Sequence, residues 1–325
     1  MRKSVFPENG VWLKGNPHSH TTVSDGYFEP LELAKLYASQ GYDFLSMTDH
    51  NIFLPHNELP PEELLLLTGV EHDLEYGSDK CTHIIGLGRA GQAETSYPCR
   101  KYTSRELTDQ QYLDMMVGDG QFVVLAHPVW SRMEPEEVAA LHGFHAIEIY
   151  NNGTEHLCHA GHAEIYWDML LRRGCRVYGI ACDDVHVPCD LFGGWLWVKA
   201  AERSREAVLD ALHSGSFYSS SGPIIYDFGL DGDKVYISCS PCREIHMVSY
   251  PPRGNTSFNE NQTEAAFVLT GREKYIRLEC IDETGHVAWT NPIFFDYAIE
   301  LLRIFITSAA APVYCPLWQP LALSV

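Results

Sequence analysis

The chain has 325 residues, 45% of them hydrophobic, and a formal net charge of −20. That length supports one large domain with an appendage, or two domains. A surface this acidic repels phosphate backbones, which excludes nonspecific binding to long nucleic acid. It does not exclude an anionic substrate, because bound cations reverse the local field.

The opening "MRKSVFPENG" has no apolar run before it meets a charge and a proline, so no export signal is expected there. Residues 11–15, "VWLKG", read as a strand and lead into "NPHSHTTVSDG". A helix is expected over 29–40 and a strand over 42–47, followed by "TDHN". The strand expected at 64–70 is followed by "EHD", and another strand covers 83–88. A helix at 105–118 precedes the strand 121–126, which ends in "AHP". Next come a helix at 134–142, a strand at 145–150 and a helix at 160–173. The strand 176–182 runs into "DDVH", and the strand 194–199 precedes a helix at 204–213 with a Ser204 cap and a Gly215 stop.

This alternation is that of a β/α fold, and in β/α barrels the loops after strand ends gather on one face. Five strand ends carry histidines and acids. His83 is the exception, because it opens its strand, so its orientation is not fixed by the pattern. After "YSSSGPII" the chain reads as short β segments over 223–297, expected to form a small β-sandwich that serves packing or spacing. The apolar stretch 298–325 is interrupted by Glu300, Arg303 and prolines. A membrane helix needs about twenty continuous apolar residues, so this stretch reads as a loosely ordered or packed tail, and nothing in it assigns a role in the chemistry.

The ten cysteines form no framework. Cys239 and Cys242 make one CxxC, "CSPC", which without a second pair carries little weight as a zinc or redox signal. Reduced thiols and no export signal point to the cytoplasm.

The strand-end candidates are His18, His20, Asp25, His50, Glu71, His83, His127, Asp184 and His186. Nitrogen and oxygen donors without a thiolate suit manganese, iron or zinc. His18 and His20 are two apart, so an extended backbone turns both to one side. Any single histidine is more often a core or surface residue. His56, His72, His142, His145, His156, His159, His162, His213, His246 and His286 are read that way.

"HSHTTVSDG", "TDHN", "AHP" and "DDVH", in this order, resemble the motifs of the PHP (polymerase and histidinol phosphatase) metal-dependent phosphoesterases, and "GSFYSSSGP" resembles the end of that domain. The resemblance covers residues 10–222. It implies an α/β fold, a distorted seven-stranded (β/α) barrel, with up to three divalent metals, manganese foremost and iron or zinc as alternatives. By motif, His18, His20, Glu71 and Asp184 would hold the first ion. Glu71 would bridge to a second, with His83 and His127. Asp25, His50 and His186 would hold the third. His72 competes with His83, and Asp183 competes with Asp184, although the D-x-H spacing to His186 favours Asp184.

The implied activity is hydrolysis of a small phosphomonoester or cyclic phosphodiester by metal-activated hydroxide, with Glu71, Asp184 and His186 in the catalytic roles. A nuclease, a carbamate or ester hydrolase, and a non-catalytic PHP domain are the alternatives. The complete ligand set argues against the last. Arg132 is the candidate cation for phosphate oxygens, with Arg100 and Lys101 as rivals and a solvated arginine as the plain reading. Asn51 would touch substrate or cap a helix. The expected partner is a small phosphorylated molecule, with no membrane and no long nucleic acid. The oligomeric state is left open.

Overall fold

The computed structural model describes residues 2–53, 59–60, 62–75, 81–88, 107–252 and 254–295. His56, Arg100, Lys101 and the expected tail at 298–325 lie outside the described residues. In chain order the elements are β1 (Arg2–Ser4), β2 (Val11–Asn16), α1 (Pro30–Ser39), β3 (Phe44–Met47), β4 (Leu65–Glu75), β5 (Cys81–Gly88), α2 (Asp109–Gly118), β6 (Phe122–Leu125), α3 (Pro135–Ala140), β7 (Ala146–Asn151), α4 (Asn152–Cys158), α5 (Glu164–Arg172), β8 (Tyr178–Cys182), β9 (Trp195–Ala200), α6 (Arg205–Ser214), β10 (Phe217–Ser220), β11 (Ile225–Asp231), β12 (Lys234–Tyr250), β13 (Asn255–Val268), β14 (Tyr275–Ile281), β15 (Val287–Thr290) and β16 (Ile293–Phe294).

Local chemistry sets the helix ends. Pro30 opens α1, where its missing N–H costs nothing, and Leu33, Ala34 and Tyr37 line the buried face at helical spacing. Ser204 Oγ accepts from the Ala207 N–H at 3.2 Å and Gly215 closes α6 at φ 74°, as its sequence predicts. The helix expected over 160–173 is α5, shortened at its start, and a further short helix, α4, precedes it. Asn151 caps α4 by accepting from the Thr154 N–H at 2.9 Å, and His159 ends it in the left-handed region at φ 55°. Helix α5 then starts afresh at Glu164. No helix among the described residues is long and apolar enough to cross a membrane.

The strands form one mixed sheet. β2, β3 and β4 run parallel, as do β6, β7 and β8. β5 runs antiparallel to both β4 and β6, and β9 antiparallel to β2. The sheet curls so that the end of β8 meets the loop after β2. The Asp184 N–H donates to the His18 carbonyl at 3.0 Å, and the His20 N–H to the Val185 carbonyl at 3.1 Å. One buried cluster includes Leu13, Phe44, Leu67, Ile85, Val124 and Leu196 of these strands and takes in α6.

This arrangement differs from the expected seven-stranded barrel. The curled part has eight strands, β2 to β9, and its ladder is open between β8 and β9. The reason is β10, which pairs with β9 on one side and β15 on the other and so leads the sheet onward. The later strands are antiparallel throughout, and β1, from the start of the chain, pairs with β11. They are therefore continuous with the curled part rather than a detached sandwich. Buried Arg277 on β14 adds a side-chain tie, at 3.0 Å from Asp168 of α5 and 4.7 Å from the centre of the Trp167 ring.

Candidate metal centre

The candidate ligands come from strand ends at one rim of the curl. β5 explains His83. Because β5 runs opposite to its neighbours, its first residues lie at the rim where β4 and β6 finish. Asp73 is the register partner of His83, and the Ala126 N–H donates to the His83 carbonyl. His83 Nδ1 stands 2.9 Å from Glu71 Oε1. Its competitor His72 is the next residue to Glu71 on a strand and so faces the other way, beside Tyr112. Burial pushes the His72 ring down to about 4.

His18 and His20 are fully buried and turn their Nε2 atoms toward one point, 3.1 Å apart. Asp184 Oδ1 lies 3.1 Å from His18 Nε2 and 3.3 Å from His20 Nε2. Glu71 Oε2 lies 3.4 Å and 3.1 Å from the same two atoms. His127 Nε2 meets Glu71 Oε1 at 3.0 Å. Asp25 gathers the outer group, with His20 Nδ1 at 3.4 Å, His50 Nε2 at 3.5 Å and His186 Nε2 at 3.5 Å. The tight turn that presents Asp25 requires Gly26, where a Cβ would meet the His20 carbonyl carbon at 2.4 Å.

All nine candidates therefore converge. Asp183 does not join them. Its carboxylate accepts from the Phe192, Gly193 and Gly194 N–H groups and from the Tyr37 hydroxyl. Asp184 is thus the acid that faces the histidines. Arg132 is exposed, sits at φ 58° and is not among the residues lining the cleft. Asn51 is buried, donates to Asp73 and begins no helix.

The charges are tightly balanced. Burial depresses the His18 ring, but Asp184, Glu71 and Glu148 outweigh it and hold it well above the ordinary range. Burial lifts the Glu71 carboxyl, and His83, His18 and His50 pull it well below. The same contest places Asp184 low, through His18 and His20. Burial lowers His186, yet Asp25 and Asp184 bring it up to about 9. Burial keeps the His50 ring low.

The donor set fits divalent cations. Asp184 Oδ1 and His50 Nδ1 are buried and have no hydrogen-bond partner among the described residues. Buried polar atoms left this way are costly unless something satisfies them. Six histidines and three carboxylates, with neighbouring nitrogens and oxygens 2.9–3.5 Å apart, surround the space where such a cation would sit.

Glu148 is the acid that the sequence reading missed. It is buried on β7, with Oε1 2.7 Å from His18 Nδ1 and Oε2 accepting from the His127 N–H at 2.8 Å. An ionised carboxylate only accepts, so His18 donates from Nδ1 and turns Nε2 inward, the atom that would face a cation once its own proton is displaced. Glu148→Gln should weaken metal affinity by about 10–100-fold. A competition titration against a metal-sensitive dye measures it, and unchanged affinity would dismiss that role. The only sign in the sequence is one acid within the apolar "AIEIY".

The site opens into a cleft of 520 Å3, also lined by Trp130, Thr154, His156, Leu157, Val187 and Cys189. The sequence reading treats His156 as an ordinary core or surface residue. Trp130 packs edge-on to His127 and His83, with ring centres 4.9 Å and 5.5 Å away. No lysine or arginine lines this cleft among the described residues.

The curled mixed sheet is similar in fold to a two-domain protein from Bacteroides vulgatus containing a predicted PHP-like metal-dependent phosphoesterase, at 15% identity, a TM-score of 0.51 and coverage of 90% of this chain and 98% of that one. At that identity the likeness is one of fold. An amidohydrolase from Chromobacterium violaceum, with bound sulfate and no metal, aligns at 18% identity over 54% of this chain and 88% of its own, with a TM-score of 0.38. A protein from Bifidobacterium adolescentis assigned as a metal-dependent phosphoesterase aligns at 17% identity over 56% and 89%, also at 0.38. These two scores are too low to add to the argument. No protein-family model matches the chain, and no curated protein matches it.

Proposed function

We propose that the chain is a PHP-type metal-dependent hydrolase of small phosphate esters, either phosphomonoesters or cyclic phosphodiesters. The observation that carries this reading is the convergence of nine nitrogen and oxygen ligands around two unsatisfied buried atoms, Asp184 Oδ1 and His50 Nδ1. His18, His20, Glu71 and Asp184 would hold one ion. Glu71, His83 and His127 would hold a second, and Asp25, His50 and His186 a third, with manganese the leading choice and iron or zinc possible. Ions held there would supply a hydroxide nucleophile at neutral pH and positive charge for the reacting phosphoryl group.

The chain's own residues do the positioning. Glu148 fixes the His18 tautomer, Glu71 presents its two oxygens to opposite groups of histidines, and buried Asp184 holds its place through Asn151 at 3.0 Å. His186, partly exposed at the cleft mouth, is placed to return a proton to the leaving oxygen. The cleft suits a small molecule rather than a long nucleic acid, in keeping with the −20 charge.

A phosphate-release screen over nucleotides, sugar phosphates and cyclic phosphates, with manganese supplied, tests the reading. Elemental analysis of protein purified without chelator should find about two to three divalent ions per chain. Fewer than about one would overturn the trinuclear assignment. Because Arg132 lies outside the cleft lining, Arg132→Ala should leave kcat/KM unchanged on the best substrate. A loss of about tenfold or more would return it to the site.

The missing lysine or arginine in the described lining favours a second reading, hydrolysis of an uncharged ester or carbamate on the same centre. Metal-dependent turnover of a nitrophenyl ester with no release from any phosphate compound would select it.

A further inference from the structure

A second cluster of side chains able to ligate a metal lies outside the cleft lining, in the later strands. Cys239, Cys242 and Cys280 are all fully buried, and their sulfurs lie within 4.8 Å of one another. Residues three apart on a regular strand face opposite sides. Cys239 and Cys242 nevertheless both face inward, because the pairing of β12 with β13 shifts register on each side of Cys242. Such bulges re-aim side chains. Pro241, between them, is pushed out to solvent. Cys280 arrives from β14, where it pairs with Ile245 just beyond the bulge.

Ordinary packing of small apolar side chains explains one buried cysteine. It does not explain three sulfurs gathered by a doubly irregular strand. The Cys239 and Cys242 sulfurs are 4.0 Å apart. A disulfide needs about 2.05 Å. Three sulfurs in a plane at about 2.3 Å from one ion stand about 4.0 Å apart.

We propose that Cys239, Cys242 and Cys280 form a three-sulfur site for a soft closed-shell cation, monovalent copper. Zinc is almost always four-coordinate. The neighbouring carboxylate, Asp282, is engaged by the Thr284 and His286 N–H groups of its own turn. Each thiol that becomes a thiolate ligand gives its proton to water.

The test is an anaerobic titration of the full chain with Cu(I) delivered from a coloured chelator complex. The expected result is transfer of one equivalent with an ultraviolet sulfur-to-copper band, lost in Cys242→Ser and Cys280→Ser but kept in His20→Ala. Near-ultraviolet circular dichroism checks the folding of the variants. X-ray absorption of copper-loaded wild type, expected to give three sulfur neighbours, needs no variant. The proposal falls if wild type takes up no more copper than folded Cys242→Ser. It also falls if Zn(II) with a fourth donor outcompetes Cu(I) there. A Cys239–Cys242 disulfide in the purified protein would likewise overturn it.

Discussion

Asp184→Asn will lower metal-supplied phosphoester hydrolysis by more than about a hundredfold, beyond the 10–100-fold typical of an outer partner, and will reduce the metal content. Asp184 Oδ1 is within 3.5 Å of three ring nitrogens, those of His18, His20 and His186. The amide keeps the shape of the side chain and can still accept from Asn151, so the fold should survive. What it loses is the negative charge that both the histidines and a cation require. Steady-state kinetics and elemental analysis on the same preparation, with far-ultraviolet circular dichroism as control, decide the matter. Turnover near wild type would remove Asp184 from the ligand set.

The neighbouring acid should behave in the opposite way. Asp183→Ala will cost stability before it costs chemistry. The buried Asp183 carboxylate accepts from three consecutive backbone N–H groups, Phe192 at 2.9 Å and Gly193 and Gly194 at 2.8 Å each, and from the Tyr37 hydroxyl of α1. Removing it leaves four donors facing an empty space. Each stranded group costs about 1–3 kcal/mol, so the sum approaches the 5–15 kcal/mol that holds a typical domain together. Denaturant unfolding should show a midpoint far below wild type, or no folded protein at all. A loss under about 1 kcal/mol would mean the loop re-satisfies its own amides.

These two aspartates show what the sequence could and could not reveal. The D-x-H spacing favoured Asp184, and nothing local said what Asp183 does, since its partners lie on α1 and at 192–194. His18, His20, Asp25, His50, Glu71, His127 and His186 were legible because short polar motifs interrupt apolar strand patterns at their ends. His83 was ambiguous because strand direction depends on a pairing partner, and no local pattern encodes it. Glu148 escaped notice for a similar reason: its meaning comes from His18, 130 positions away. Arg132 is not among the residues lining the cleft, because closeness along the chain to His127 does not fix the direction of a side chain whose own backbone sits at φ 58°. Helix α4 was missed because "NNGT" reads as a turn, and only the cap at Asn151 shows it to be a helix start. The open path from β9 through β10 to β15 was not readable, as edge pairing is decided by strands far apart in sequence.

The hydrogen bonds that join His18 to Asp184 and His20 to Val185 also have a bearing on how the protein is made. They tie together positions more than 160 residues apart, and they hold the first two histidines against the last acid. A nascent chain emerging from the ribosome carries His18 and His20 early but lacks Asp184 and His186 until the far end of the curl has been synthesised. Closing so long a loop is an entropic cost met only once the intervening strands have zipped, which makes the rim a late event in folding. An ion that needs both ends would bind the finished state alone. It would then slow unfolding far more than it speeds folding, and cells short of the metal would hold a protein that folds at a normal rate but is lost sooner.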